Sequence, residues 1–506
     1  MKSWPKSYPL ALFIALLAFS PVLVLVLLAS SDVAFFDSRN LDILSNTLLL
    51  MVFTALGSIL VGIPLALLTT YIKLPWHRFW LVLFAAPLAL PSYLGAFTFY
   101  AAFGPGGEVE QLLGINTPSV YGLAGSTFIM VLYTYPFVML TTRASLASLD
   151  ASQFYAARTL GMSLSLSIFK VILPRIKNGI AAGALLSALY ALSDFGTPAI
   201  LGLDTFTRVI FVEYNAFGLS QAAMLSLQLM TIVGLVLFLE AKVKGTQEQP
   251  GRHLYFWPTQ SQIGLMLSVA LPVFLCAILI PLSVFFLWLF RDGAGNFQFE
   301  YAWNSAFASL LAAIFTVLFA LPVAYAAIQG RIGQILERIT YMGFGIPGIV
   351  MGTALVYLGL QLPFLYQTLA LLILAYVLRF LPLAVGTIRS TTERLDNSLV
   401  NAARVLGAPP SEAFRRVTLP LTTKGLIAGA ALVFLEVMRE MPATLLLGPT
   451  GFETLATYLW RVYEAGYFGM AAIPGLILFA ISALGLALMF TGEGGKKLGF
   501  NEEQRH

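Results

Sequence analysis

The sequence predicts an all-α polytopic membrane protein of about twelve transmembrane helices, built as two parallel six-helix repeats. Three observations predict it: apolar blocks of membrane-crossing length, basic residues gathered on one side, and a stretch of sequence that recurs 246 positions later.

Charged residues are 10% of the chain and hydrophobic residues 58%, against about 25% charged in a soluble domain. The apolar residues come in blocks such as 9–30, 48–70 and 263–290, each near the roughly 20 residues a helix needs to cross the hydrocarbon. Such spans must be helical, because lipid offers the backbone no partner outside the helix. The short alternating segments of a β-barrel are absent from the sequence. Lys2 and Lys6 before the first block resemble the start of a signal peptide. The run exceeds a signal's 7–15 or so apolar residues and further spans follow, so it reads as an uncleaved first helix. The single cysteine, Cys276, excludes an intramolecular disulfide or a cysteine metal cluster. His77, His253 and His506 fall in polar connections or the tail, which argues against a histidine-bound catalytic metal or haem in the membrane.

Twelve spans follow, at about 9–30, 46–71, 79–103, 119–141, 179–202, 221–240, 263–290, 303–328, 339–361, 367–387, 425–448 and 468–491. With both termini cytoplasmic, the external connections carry only Arg39, Arg208, Arg291 and Arg461, and the remaining basic residues outside the spans fall inside. This asymmetry is the positive-inside pattern. It accounts for the net charge of +5 without nucleic acid.

The repeat is explicit. Leu149-Asp150-Ala-Ser152-Gln-Phe-Tyr-Ala156-Ala157-Arg158-Thr-Leu160-Gly161 returns as Leu395-Asp396-Asn-Ser398-Leu-Val-Asn-Ala402-Ala403-Arg404-Val-Leu406-Gly407. The same spacing joins Pro136 to Pro382, Leu173-Pro174 to Leu419-Pro420, Asp194 to Glu440 and Gly202 to Gly448. Asn46-Thr47 and Pro64 match Asn304-Ser305 and Pro322 at a spacing longer by twelve, which places an insertion in the glycine-rich stretch 104–118. Residues 1–245 and 263–506 are then the two repeats and 246–262 a cytoplasmic linker. Six spans each make the halves parallel, related by an axis along the membrane normal.

Both copies of the repeated loop describe an elbow held off the membrane. Asp150 or Ser152, and Asp396 or Ser398, can cap a short helix. Gly161 or Gly407 ends it in the left-handed conformation. A second segment follows, with Pro174 or Pro420 at its end. The alanine pairs Ala156-Ala157 and Ala402-Ala403 give the helix a small, smooth face. The pattern Ala-Ala-x3-Gly-x9-Val-x-Leu-Pro resembles the EAA loop of ABC-importer permeases, with Tyr155 and Asn401 where that motif has its glutamate. The resemblance implies that each elbow docks in a groove of a separate ATP-hydrolysing subunit. It implies two copies of that subunit, which would bind ATP and Mg, and a periplasmic substrate-binding protein, with the permease in a bacterial inner membrane. On this chain the nearest approach to a Walker motif, Gly492-Glu-Gly-Gly-Lys496-Lys497, lacks the spacing and the following Ser or Thr. No cofactor, metal ligand or catalytic residue is expected here.

Charges inside spans cost at least about 2.5–3.5 kcal/mol each and therefore face a cavity or pair up. Asp194 in the fifth span, Arg379 in the tenth, and Glu436, Arg439 and Glu440 in the eleventh are the candidate pathway residues. The alternative is that Glu436 and Arg439, three apart, form a structural pair. Proline and glycine at Asp194-Phe-Gly196-Thr-Pro198 and Glu440-Met-Pro442 predict broken helices there. Ser193–Pro198, Asp204–Ile210, Arg439–Leu447 and Glu453–Thr457 resemble the fused ferric-iron permeases of bacteria, whose superfamily also carries thiamine, polyamines and phosphonates. A secondary transporter or channel is the alternative class, but leaves the paired elbows unexplained. A membrane enzyme lacks any visible nucleophile or histidine cluster.

Overall fold

The computed structural model describes residues 7–29, 38–72, 77–150, 152–216, 218–243, 260–293, 295, 297–393, 395 and 397–493. Part of the expected linker (246–259), Lys2, Lys6, Lys73, Asp396, His253, His506 and the basic tail from residue 494 lie outside them. Helix is the only regular element of any length among the described residues. Among the described residues, ten helices are long and apolar enough to cross a membrane, a pair bent by 85° makes an eleventh crossing, and Arg331–Gly345 with the shorter apolar helix Gly348–Gln361 stands where the ninth of twelve spans is expected.

The spans follow in chain order. The first half has Ser7–Leu28, Ser38–Tyr71, a broken third span with limbs His77–Ala85 and Ser92–Phe103, then Gly122–Ala147, Leu164–Ser193 and Leu219–Lys242. The second half has Leu267–Asp292, Phe299–Gln329, a broken ninth span with limbs Arg331–Gly345 and Gly348–Gln361, then Leu369–Glu393, Phe414–Met438 and Ala472–Glu493. The expected third and ninth spans are thus not continuous helices. Pro91 and Pro347 interrupt them with extended backbone, ψ 132° and 147°. The expected fifth and eleventh spans begin earlier and end at the predicted breaks. After each break comes a short helix, Gly196–Ile200 or Pro442–Leu447.

Among the described residues, three spans contain a π-helical turn, and each turn lies directly before a proline: Ile168–Ile172 before Leu173-Pro174, Leu275–Leu279 before Ile280-Pro281, and Phe414–Thr418 before Leu419-Pro420. Proline lacks an N–H and its ring collides with the carbonyl four residues back. A wider turn moves that carbonyl aside, so the helix continues. Pro174 and Pro420 therefore do not end the elbow's second segment. That segment is the start of the fifth or eleventh span itself.

Within each half the helices meet through small residues. A Cβ on Gly179 would lie 2.0 Å from Ser145 Oγ, and one on Gly183 2.4 Å from Thr141 Oγ1. The duplicates Gly425 and Gly429 stand similarly close, with a Cβ 2.4 Å from Thr391 Oγ1 and 2.6 Å from Thr387 Oγ1. The first span of each half crosses to the other half. Ser7–Leu28 packs on the eighth span and both limbs of the ninth, and Ser7 Oγ donates to Gln329 Oε1 at 2.8 Å. The seventh span packs on the second span and on Ser92–Phe103.

On the side away from the elbows, Asn46 and Asn304 donate to the carbonyls of Asp204 and Glu453 at 3.2 and 3.1 Å. Their neighbours Thr47 and Ser305 accept the N–H of Phe206 and Leu455. These bonds tie a surface helix, Phe206–Asn215 or Leu455–Ala465, to the second span of its repeat. The four arginines expected on this side all have carboxylate partners: Glu213, Asp204, Glu108 and Glu453. Glu108, in the insertion, holds Arg291 of the other half in a two-pronged contact of 2.8 and 2.9 Å, and accepts Trp288 Nε1 at 2.7 Å. Glu108→Gln should lower stability by about 1–2 kcal/mol. Thermal unfolding in detergent should show the same loss for Arg291→Gln and less than the sum for the double variant.

Candidate functional site

The broken helices converge. Asp194 (φ −74°, ψ 126°) leaves the fifth span in extended backbone. Its carboxylate turns back to the chain, accepting Thr197 N–H at 2.9 Å, and also accepts Ser92 Oγ–H at 2.6 Å from the start of the third span's second limb. Glu440 repeats the cap in the other half, taking Ala443 N–H at 3.2 Å. Position 92 has its duplicate at Gly348, so no hydroxyl is present there. Instead Arg379 reaches Glu440 Oε1 at 2.5 Å, with both side chains largely buried. The approach depends on the glycine, since a Cβ at 348 would sit 1.8 Å from Arg379 Nη1 and 2.4 Å from Glu440 Oε1.

Glu436 and Arg439 pair along one helix face. Arg439 also donates across the repeats, to the carbonyls of Leu88 and Ala89 at 3.2 and 2.9 Å. Those carbonyls end the first limb of the third span, where the backbone has no helical partner left to offer. The pair is therefore structural in its contacts, and it also faces the same space as the other charges. Asp194, Arg379, Glu436, Arg439 and Glu440 all line one cavity of about 220 Å³, with Ser92, Tyr93 and Tyr190. Among the described residues, no three His, Cys, Asp or Glu side chains are grouped to hold a metal ion.

Sequence reasoning missed Ser92, Tyr93 and Gly348, because it took the third and ninth spans as continuous. The signal was present: Leu90-Pro91-Ser92 and Ile346-Pro347-Gly348 interrupt equivalent spans at equivalent places.

The elbows lie at the other end of the spans. The helices Ser152–Thr159 and Asn397–Val405 end at Gly161 (φ +85°) and Gly407 (φ +91°). Met162 N–H bonds to Ala157 O and Gly161 N–H to Arg158 O, and Ala408 and Gly407 repeat the pattern with Ala403 and Arg404, all at 3.1 Å. This double closure satisfies the carbonyls a helix end leaves free. At the entrance, Asp150 accepts both the N–H and the hydroxyl of Ser152. The alanine pairs do not form one smooth face. Ala156 and Ala402 point outward, whereas Ala157 and Ala403 turn toward the chain. Leu173 and Leu419 are half-buried, and Pro174 and Pro420 exposed. Leu160, Val405 and Leu406 are more than four-fifths exposed, apolar groups on a polar surface.

Two like halves, broken helices closing on a charged cavity, and a matched pair of elbows at one end define a membrane transport permease. Residues 58–240 and 317–490 both match the family described as "Binding-protein-dependent transport system inner membrane component", so the chain belongs to that family twice over. It is 32% identical to the Fe(3+)-transport system permease protein FbpB 2 of Haemophilus influenzae, over 90% of each chain. It is 25% identical to the probable ABC transporter permease protein y4fN of Sinorhizobium fredii, over 88% of this chain and 86% of the other. With the ferric transport system permease protein FbpB of Actinobacillus pleuropneumoniae the figures are 22%, 87% and 69%.

The Gly348 contact makes a sharp prediction. Gly348→Ala should cost about 1–3 kcal/mol through overpacking. Most of that cost should vanish in an Arg379→Gln background, which a double-mutant cycle on thermal stability will measure.

Proposed function

We propose that this chain is the whole membrane pathway of an importer that takes ferric iron from a periplasmic binding protein and releases it into the cytoplasm. The observation that carries the cargo is the relationship to the Haemophilus ferric permease, which runs through both halves instead of one. In this reading the elbows and both termini are cytoplasmic, as the basic residues suggest. The face bearing Phe206–Asn215 and Leu455–Ala465 receives the binding protein.

Each elbow docks one copy of a separate ATPase, making two. ATP and Mg belong to that subunit. The exposed Leu160, Val405 and Leu406 suit a short helix pressed into a groove. When the ATPases close they pull the elbows together, and the helix beyond each glycine is the fifth or eleventh span, which carries Asp194 or Glu440 at its far end. Force at the elbow thus reaches the cavity along one rigid rod. ATP acts by favouring one of two conformations of the halves.

The elbow is tested first. Gly161→Val and Gly407→Val each force a β-branched residue into left-handed backbone, a strain of about 1–2 kcal/mol at the turn itself. The double variant should still insert and fold, yet stimulate the ATPase weakly and transport little. Full transport would remove the elbow from the coupling mechanism. The cargo is tested with vesicles holding permease and ATPase. Iron should accumulate only with ATP and iron-loaded binding protein outside. Accumulation of thiamine or a polyamine instead would overturn the iron assignment and leave the importer standing.

A further inference from the structure

One side of the cavity is covered by residues that come in pairs. Phe195 follows Asp194 and its duplicate Met441 follows Glu440, and both line the cavity at 1% exposure. They sit together: a Cβ on Gly196, the residue after Phe195, would come within 3.1 Å of Met441 Cε. On the side away from the elbows stand two more rings, Phe211 and Trp460, one from each surface helix. Phe195 packs on both, its ring centroid 4.9 Å from that of Phe211 and 5.1 Å from that of Trp460. Those two also meet edge to face, at 5.8 Å and 87°. Phe211 and Trp460 hold the same place in Phe206–Asn215 and Leu455–Ala465, so each is the other's duplicate. In the opposite direction the cavity runs along Leu186 and Leu237 toward the elbows.

Duplicates that touch one another lie at the axis relating the two halves, as in any two-fold contact. In a transporter of parallel repeats that axis follows the membrane normal, and the pathway lies at the repeat interface. We propose that Phe211 and Trp460, seated on Phe195 and Met441, form the gate that seals the cavity from the face bearing the surface helices. An apolar constriction of this kind excludes water and ions while it is closed. Each ring rides on a helix tied to its own half, through Asn46 to the second span and Asn304 to the eighth. Rocking the halves therefore parts the rings. One hydrogen bond crosses beside them, from the Tyr463 hydroxyl to the carbonyl of Ile200 at 2.9 Å, and it must break as they separate. The assignment rests on the importer reading and adds the gate that such a cycle needs.

The test places a reporter behind the gate. Ser193 lines the cavity, and Ser193→Cys in a Cys276→Ser background supplies one thiol there. Full-length permease with its ATPase is reconstituted in vesicles, and a charged, membrane-impermeant thiol reagent is applied to each face in turn. Tyr467→Cys, at an exposed position beside the second surface helix, identifies which face is which. At rest the reporter should react slowly from the surface-helix face. Phe211→Ala and Trp460→Ala should each speed that reaction by about tenfold or more, the loss of one ring pair with its burial. Neither should change the rate from the elbow face. Trp460→Phe keeps a ring and should stay near the unaltered rate, and Phe290→Ala, far out on the seventh span's exposed side, should match it. If the alanine chains lose their thermal midpoint in detergent, the combined Phe211→Leu and Trp460→Leu chain decides by the same rates. A non-hydrolysable ATP analogue, holding the ATPases closed, should speed labelling of the chain with its rings intact. Unchanged labelling in the ring variants overturns the gate. So does an equal gain from both faces, since the variants have then only loosened the fold. If the ring variants leak while the analogue does nothing, the seal stands and the ATP-driven rocking falls.

Discussion

One requirement governs most of this fold's irregularities: a backbone N–H or carbonyl inside lipid must find its partner within the protein. At several places where the helical ladder fails, the answer is built from particular residues. Before Pro174, Pro281 and Pro420 the helix widens by one residue and carries on. Where the fifth and eleventh spans stop, Asp194 and Glu440 turn back and accept the N–H groups of the short helix that follows. Where the third span stops, Arg439 comes from the other half to take the loose carbonyls. The acids and the arginine that mark the cavity thus begin as the solution to a backbone problem. Breaks and cavity coincide, so the same charged groups line it.

Duplication set the frame, and divergence made the site. The two halves share the elbow, the paired glycines of the fifth and eleventh spans and the asparagine anchors of the second and eighth. At the cavity they part. Ser92, Tyr133, Tyr190 and Ser193 stand in one half where Gly348, Arg379, Glu436 and Arg439 stand in the other. The changes are linked. An arginine at 379 needs the space that glycine leaves at 348, and it takes over for Glu440 the role that a serine hydroxyl plays for Asp194.

Much of this was legible in the sequence, for identifiable reasons. Span length and hydropathy report directly on lipid, so the twelve segments and their order could be read. The repeat could be read because Gly161 and Gly407 sit in a turn that only a left-handed residue closes, and such positions align without ambiguity. The breaks at Asp194 and Glu440 were visible because a charge, a glycine and a proline coincide there. The breaks at Pro91 and Pro347 were overlooked despite falling at equivalent places, since proline in an apolar run is also what a continuous helix contains, as Pro136 and Pro382 show. The reading of Pro174 and Pro420 as terminators failed for the same reason: a π turn lets a helix absorb proline, and no residue pattern announces the turn. Pairings between distant spans, such as Arg439 with Leu88 or Glu108 with Arg291, follow from the packing of the halves and have no local signature.

The exchange of first spans bears on how such a chain is made. Much of the surface that Ser7–Leu28 packs against belongs to the eighth and ninth spans, which are made some three hundred residues later. Within its own half this helix packs mainly on the sixth span, so most of its partner surface is missing until the second half is made. A product ending after the first half would leave the face that meets the eighth and ninth spans uncovered, and the seventh helix, once made, closes the arrangement from the other side. Joining the halves in one polypeptide guarantees that the awaited surface arrives in the same membrane, next to the same helix, in a ratio of one to one.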